Sequence, residues 1–195
     1  MEKIMIQDIQ KLQDFLYSIL KSNMEKMECI GDQVIIYTSE QDLLKVISFL
    51  KYHSFLKYNQ LMDVTCLDYP DQKKRFHVVY QLLSIENNGR ITIKVPVDEL
   101  TPVPSVGNLF PSAGWFEREV WDLFGVFFLN HPDLRRILTD YGFQGHPLRK
   151  DFPVTGYYQV RYDDEKKRII SEPVELSQQI RTFDYVGPWN QLKNS

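Results

Sequence analysis

The sequence predicts an α+β fold. It combines a compact N-terminal α/β domain, built from a mixed or antiparallel sheet and two packed helices, with a charged helix and then a long extended C-terminal segment. Three observations carry this reading. Helical and strand-like periodicities alternate over the first half of the chain, interleaved charges and large apolar residues run from Glu117 to Pro153, and sustained periodicity disappears after Thr139. The domain limits that follow are 1–138 for the α/β part, including the charged helix, and 139–195 for the extended segment.

Each element has its own signal. Ile9, Leu12, Leu16, Ile19 and Leu20 recur at helical spacing, so a first helix lays that stripe on a core. Gln33 to Thr38 reads as a strand. Ser39, followed three residues later by Asp42, resembles a capping box opening a helix that carries Leu43, Leu44, Val46, Ile47 and Leu50. Leu61 to Tyr69 forms the next strand, and in the one after it Phe76, Val78, Tyr80 and Leu82 alternate with His77, Val79, Gln81 and Leu83. Asn88-Gly89 supplies the positive φ of a tight turn. Ile91, Ile93, Val95 and Val97 then alternate with Arg90, Thr92, Lys94 and Pro96, which predicts a half-buried strand with one wet face.

The charged helix starts at Pro111-Ser112 and ends at Gly125. Phe116, Val120, Leu123, Phe124 and Phe127 make its apolar stripe, while Arg118, Glu119 and Asp122, three and four residues apart, are expected on the opposite face. Beyond it, Gly142, Gly145, Pro147, Pro153, Gly156, Pro173, Gly187 and Pro188 interrupt any helix. Tyr157 to Tyr162 and Arg168 to Ile170, flanking Asp163-Asp164, form a candidate hairpin. Tyr157, Tyr158, Tyr162, Phe183, Tyr185 and Trp189 are too many rings for a disordered tail, and they call for a surface supplied by a neighbour.

Composition bounds the class. The chain has 195 residues, of which 43% are hydrophobic and 25% charged, enough for one good core. A net charge of -3 gives no long-range field for nucleic acid, and the clusters Lys73-Lys74-Arg75 and Lys166-Lys167-Arg168 read as solvated turns. Cys29 and Cys66 form neither a Cys-x-x-Cys site nor a disulfide framework, which suits a reducing compartment. No apolar run approaches the ~18 residues of a membrane span, and Met1-Glu2-Lys3-Ile4 opens neither a signal nor a transit peptide. A soluble chain, not imported, is the expectation. The single alanine, Ala113, set against abundant Ile, Phe, Tyr, Lys and Asn, points to an AT-rich genome such as an organelle's.

Candidate chemistry is sparse. Glu117, Glu119 and Asp122 could serve acid/base catalysis, but three acids beside Arg118 more often make an ion-pair network. His131 and His146 each precede proline and have no metal-ligand partner at the right spacing. Arg135-Arg136 and Arg149-Lys150 could hold a phosphate. Lacking a glycine-rich loop beside them, they fit acidic groups or carbonyls of a protein partner better. There is no dinucleotide fingerprint, P-loop or nucleophile elbow, so no catalytic, cofactor or metal residue is expected, and the purified chain should hold no iron, zinc or flavin.

The run Glu117-Arg118-Glu119, Asp122-Leu123-Phe124-Gly125, Phe128 and His131-Pro132-Asp133-Leu134-Arg135-Arg136-Ile137-Leu138 resembles the signature of one protein family of respiratory complex I. That family is the 30-kDa subunit of NADH:ubiquinone oxidoreductase, called NADH dehydrogenase subunit 9 in mitochondria. The likeness continues through Asp140-Tyr141-Gly142-Phe143, Gly145 to Pro153 and Gly156, and more loosely through Val160 to Asp163, Glu172-Pro173 and Trp189.

The resemblance implies a core subunit of the peripheral arm with no cofactor of its own, needed for assembly and for holding the quinone-site module. FMN, iron-sulfur clusters and ubiquinone would lie on partner subunits. The chief partner would be the large quinone-site subunit, over which the C-terminal segment would run, with no nucleic acid and no direct membrane span. Residues expected at the partner interface or in a structural ion network are Glu117, Arg118, Glu119, Asp122, His131, Arg135, Arg136, His146, Arg149, Lys150, Asp151, Arg161, Tyr162 and Trp189. The location implied is the matrix side of the mitochondrial inner membrane, with an organelle gene, or alternatively the cytoplasmic face of a bacterial plasma membrane.

Two other classes stay open on residues alone. One is a small hydrolase using Glu117, Glu119 or Asp122 with His131. The other is an RNA-associated module using Arg135, Arg136, Arg149 and Lys150, with Tyr157 and Tyr158 as stacking groups and steep salt dependence.

Overall fold

In the computed structural model, which describes residues 9–31, 33–178, 180, 181 and 183, the chain divides into two units, Met1–Phe152 and Pro153–Ser195. The first unit contains helices α1 (Ile9–Leu20), α2 (Leu43–Tyr52) and α3 (Ala113–Phe124). Its main sheet is built from β1 (Lys26–Ile30), β2 (Gln33–Tyr37), β3 (Gln60–Asp68), β4 (Phe76–Ser84) and β5 (Gly89–Val97), in the order β1-β2-β5-β4-β3. β2 and β5 run parallel and the other neighbours antiparallel, so the sheet is mixed. The parallel pair follows from connectivity: β2 leaves through α2, the β3-β4-β5 meander forms beyond it, and β5 returns beside β2.

Period-two alternation sets the register. Ile36, Ile93, Tyr80 and Val64 stand in one row across four strands, and Val34, Ile91, Val78, Val95, Phe76, Val97 and Cys66 fill the same face. That face shares one continuous core with Leu12, Leu16 and Leu20 of α1, Leu43, Val46, Ile47 and Leu50 of α2, and Ala113, Val120 and Phe124 of α3. A short parallel pair, β6 (Val103–Pro104) with β7 (Phe128–Leu129), brackets α3. The second unit carries an antiparallel hairpin of β8 (Tyr158–Asp163) and β9 (Arg168–Pro173). Among the described residues no helix is long and apolar enough to cross a membrane.

Several local expectations need correction. Strand β1 carried no sequence signal, because as an edge strand it has no buried alternation to display. Ile19 and Leu44 lie 43% and 37% exposed, outside the stripes that bury their helices. At the start of α2 the Asp42 side chain makes no cap bond. It instead accepts hydrogen bonds from Ser39 Oγ at 3.3 Å, Lys45 Nζ at 2.8 Å and Asn23 Nδ2 at 3.0 Å, so the local Ser39–Asp42 pair forms side chain to side chain and a tertiary tie from Asn23 is added to it. The supposedly wet face of β5 buries Thr92 and Pro96, since β5 is the central strand and its neighbours cover it. Thr92 satisfies its hydroxyl by donating to Gln81 Oε1 at 2.7 Å. Phe127 is 52% exposed because the helix has already ended at Gly125. Residues 139–152 group with the first unit, not with the extended segment, because their polar groups bond to α3 and the sheet. Tyr185 and Trp189 lie outside the described residues.

Two core tyrosines, Tyr58 and Tyr80, bury hydroxyls that find no hydrogen-bond partner among the described residues. Leaving such a group unpaired costs ~1–3 kcal/mol. Tyr58→Phe should therefore leave urea-unfolding stability unchanged or raise it by up to ~1 kcal/mol. A clear loss in that titration would show that the hydroxyl is satisfied.

Candidate functional site

Helix α3 turns a polar stripe toward the chain that follows it. Positions 114, 118 and 122 lie one turn apart, and each grips a successive piece of residues 131–139. His131 donates from Nε2 to the Gly114 carbonyl at 3.0 Å while its Nδ1 accepts the Asp133 N–H at 3.1 Å, which fixes Nε2 as the protonated nitrogen. Arg118, whose guanidinium lies 5.2 Å from the Trp115 ring centre, donates to the carbonyls of Arg135 and Arg136, both at 3.1 Å. The peptide that gives the Arg136 carbonyl to Arg118 turns its other edge, the Ile137 N–H, to Asp122.

Asp122 collects five donors. Oδ2 accepts the backbone N–H groups of Ile137, Leu138 and Thr139 at 3.1, 2.8 and 2.9 Å. Oδ1 accepts Arg136 Nη1 at 2.9 Å and Thr139 Oγ1 at 2.6 Å. The side chain is fully buried. Burial pushes its pKa up, but the hydrogen bonds from Thr139, Leu138 and Ile137 outweigh it and hold the carboxyl down at about 2. Arg136 is itself fixed by the Gly145 carbonyl at 3.0 Å and by the rings of Trp121 and Phe143, each 5.8 Å away.

The end of α3 is closed by the same segment. A helix leaves its last carbonyls without intrahelical partners. Here Asp122 O, Leu123 O and Phe124 O accept from His146 Nδ1, Leu148 N and Arg149 Nε at 2.9, 3.0 and 2.6 Å. Burial keeps the His146 pKa below its usual range, and the Arg149 and Arg136 cations add to that effect. Gly125 caps the helix at φ +80°, and a Cβ there would stand 2.6 Å from both Arg149 Nη2 and His146 Nε2. Only glycine meets both demands.

From Arg149 the network passes to the sheet. Arg149 Nη1 donates to Glu99 at 3.0 Å, and Arg75 Nη1 shares that carboxylate at 3.2 Å. Arg75 forks onto Asp68 at 2.6 and 2.8 Å and onto Asp151 at 3.0 and 3.2 Å, while the Lys150 N–H gives Asp68 a further bond at 2.8 Å. Both guanidiniums rest on Phe76, at 5.1 and 5.0 Å. The Arg75 hydrogen bond is the main cause holding the Asp68 carboxyl below its usual pKa.

Glu117 is separate and also fully buried. It accepts from Ser105 Oγ at 2.6 Å and Val106 N at 2.8 Å, with His131 Nε2 3.9 Å away. Burial raises its pKa against the pull of those bonds. The expected solvent-side cluster therefore does not form: Glu117 and Asp122 point into different buried sites, Glu119 alone is exposed, and Arg118 and Asp122 are joined through the 131–139 backbone, not to each other.

The remaining sequence candidates are dispersed. Arg135 is exposed and pairs with Asp133, the Lys150 side chain is exposed, and Arg161 pairs with Glu172 at 2.8 Å beside an exposed Tyr162. Trp189 lies outside the described residues. Sequence reasoning missed Asp68, Glu99, Ser105 and Thr139. It also took Arg75 for part of a solvated turn, although that side chain is 17% exposed and fully paired. Ser105 and Thr139 meet carboxylates of α3 across 12 and 17 residues, and Asp68, Arg75 and Glu99 meet where strand ends converge, so no motif spacing announces them.

Chemically the arrangement is saturated. A carboxylate holding five donors has no lone pair to take a substrate proton, which removes Asp122 as a general base. Among the described residues no three His, Cys, Asp or Glu side chains converge as metal ligands. Cys29 on β1 and Cys66 on β3 occupy opposite edges of the sheet, four spacings of about 4.8 Å apart, too far to share an iron-sulfur cluster.

Residues 36–158 match the family model of the respiratory-chain NADH dehydrogenase 30-kDa subunit. The chain is 50% identical over 189 residues to the NADH-ubiquinone oxidoreductase subunit 9 of Reclinomonas americana, covering 95% of this chain and 93% of that one. It is 57% identical over 155 residues to NADH dehydrogenase [ubiquinone] iron-sulfur protein 3 of Oryza sativa subsp. japonica, with 80% and 82% covered. The protein of the same name from Marchantia polymorpha is 54% identical over 180 residues, with 92% of each covered. Among solved structures, a chain of the membrane-bound sulfane sulfur reductase, an archaeal respiratory membrane complex, superposes with a TM-score of 0.62 at 22% identity, covering 82% of this chain and 99% of that one. That last likeness is one of fold.

Asp122→Asn would turn an amide N–H toward a set of donors of which only the Thr139 hydroxyl can also accept, and a loss of ~3–5 kcal/mol is expected from unpaired buried partners. Glu117→Gln keeps an acceptor for Val106 and a group that Ser105 can meet either way, so it should cost less than ~2 kcal/mol. Chemical denaturation of the two variants checks the order.

The pH dependence has a definite sign. With its folded pKa lowered to about 2, Asp122 contributes about 2 kcal/mol that is fully present above about pH 5 and lost as pH falls through 2. Glu117, with a raised pKa, works oppositely and gains as pH falls. A denaturation series from pH 6 to 2 should show the acid loss in the native chain and a flatter profile in Asp122→Asn.

Gly125→Ala should destabilise by more than ~2 kcal/mol, from the left-handed φ together with the displaced Arg149 and His146. Thermal unfolding measures it.

Proposed function

The chain belongs to the respiratory-chain NADH dehydrogenase 30-kDa subunit family, and from that premise we propose that it acts as a non-catalytic core subunit of proton-pumping NADH:ubiquinone oxidoreductase. Its work is mechanical: it presents a rigid surface on which neighbouring subunits of the peripheral arm assemble. The observation that carries this is the internal use of the signature's charges. Glu117, Arg118, Asp122, His131, Arg136, His146 and Arg149 all bond groups of their own chain, and their joint product is a fixed course for residues 131–151.

That fixed course displays Leu138 and Tyr141 at 62% and 104% exposure, with Leu148 at 51%. Apolar groups held outward on a stiff backbone favour association, because little further entropy is lost when a partner covers them. The partner in this reading is chiefly the large quinone-site subunit, and the segment after Pro153 lies over it. FMN, the iron-sulfur clusters and ubiquinone belong to other chains. The words iron-sulfur in the names of the plant relatives do not change this, since two cysteines on opposite sheet edges cannot supply a cluster's ligands. The assembly would sit at the mitochondrial inner membrane with this chain on the matrix side, encoded in the organelle.

Native fractionation of mild-detergent extracts of the source membranes, following this chain by mass, tests the reading. The chain should travel in a very large assembly with NADH dehydrogenase activity, and recovery only as a free small protein would end it. Arg118→Ala should reduce the amount of that assembly while leaving turnover per assembled complex unchanged. Metal analysis of the purified chain should return well below one iron per chain.

A further inference from the structure

Between the end of β7 at Leu129 and the start of β8 at Tyr158 the chain forms no helix or strand among the described residues. Within this stretch, residues 131–152 belong to the first unit, yet none of them is buried as a whole. Leu134 is the one apolar side chain among them that packs against the core. Among the described residues their backbone reaches the rest of the unit through one backbone-to-backbone bond, Leu148 N to Leu123 O at 3.0 Å. The other ties run through side chains and concentrate at two sites. Near the start, Asp122 and Arg118 grip the backbone of residues 135–139. Near the end, Asp68 takes the Lys150 N–H and Arg75 takes Asp151, with Glu99 shared between Arg75 and Arg149.

We propose that residues 131–152 are a strap that opens and closes as one unit on a folded α/β body, with Asp122 and the Asp68–Arg75–Asp151 cluster as two coupled fastenings. Three links join the ends. Arg136 Nη2 donates to the Gly145 carbonyl at 3.0 Å, and the rings of Phe143 and Phe152 stand 5.9 Å apart. Arg149 bonds both Phe124 O at the end of α3 and Glu99 at the far cluster. Opening exposes little apolar surface, so the hydrophobic term that keeps the body folded hardly opposes it. What opposes it is charge-assisted hydrogen bonding, and water and salt can replace that. The far fastening is the more open to screening, because the Asp151 and Glu99 side chains are 64% and 49% exposed. Asn130, at φ +61°, supplies a turn at the start of the strap in a conformation that asparagine tolerates. Closed, the strap is stiff and presents Leu138, Tyr141 and Leu148. Open, that surface does not exist. A neighbour covering those side chains binds the closed state alone and tightens both fastenings, a consequence that rests on the assembly reading above.

Hydrogen exchange of the free full-length chain, followed amide by amide by NMR where closing outruns exchange, tests the strap without any partner. The amides of Ile137, Leu138, Thr139, Leu148 and Lys150 should share one opening constant, on the order of 100-fold or more above that of the β4 amides. Asp151→Asn, at the far fastening, should speed the Ile137 and Leu138 amides by about three- to fivefold. Thr139→Val, which removes a hydroxyl bonded to Asp122, should speed the Lys150 amide by about tenfold or more. Raising sodium chloride from about 0.05 M to about 0.5 M should speed all five amides of the native chain alike. Responses confined to the fastening that was altered, acceleration by salt of the Lys150 amide alone, or exchange of all five no faster than in β4 would overturn the proposal. The outcome is independent of the assembly reading, which native fractionation decides.

Discussion

One buried carboxylate, Asp122, receives three consecutive backbone amides, and the course of the chain beyond α3 depends on it. Residues 131–152 bring little apolar surface to the core: Leu134, Ile137, Phe143 and Phe152 are only half-buried, and Leu138, Tyr141 and Leu148 face outward. Such a segment cannot offset its ordering entropy by burial alone. A fixed anion accepting Ile137, Leu138 and Thr139 N–H groups supplies what burial does not, because charge-assisted bonds out of water are roughly twice as strong as neutral ones. Arg118 completes the arrangement by holding the carbonyl edge of the same backbone, so the segment is gripped from both sides of its peptide planes.

The helix that carries Asp122 divides its labour by face. Ala113, Val120 and Phe124 enter the core, the polar stripe engages the returning chain, and the helix end is closed by residues 146–149. Because Arg149 and Asp151 also reach the Asp68, Arg75 and Glu99 cluster, helix, returning segment and sheet form a single electrostatic unit. Paired buried charges stabilise less than apolar packing would, but they tolerate few alternative geometries. For a protein whose contribution to an assembly is the shape of its surface, a unique geometry is the property that matters.

The sequence by itself determined the elements that depend on periodicity and on backbone constraints. Helix α2, the strand pair around Asn88-Gly89, the stop of α3 at Gly125 and the hairpin around Asp163-Asp164 all rest on local physics: a hydrophobic stripe, a positive φ, a turn. The signature from Glu117 to Pro153 was legible for the same reason, since charges set among large apolar residues have few local explanations. Glu119 and Asp122 nonetheless look alike in the sequence, and only the tertiary structure decided that one meets water and the other five donors. Strand β1 and the second covered face of β5 depend on which strands become edges and which become centres, a choice made by the assembled sheet. Arg75 shows the limit most clearly. Its partners Asp68, Glu99 and Asp151 are separated along the chain, and their convergence is a product of the fold that no local spacing encodes.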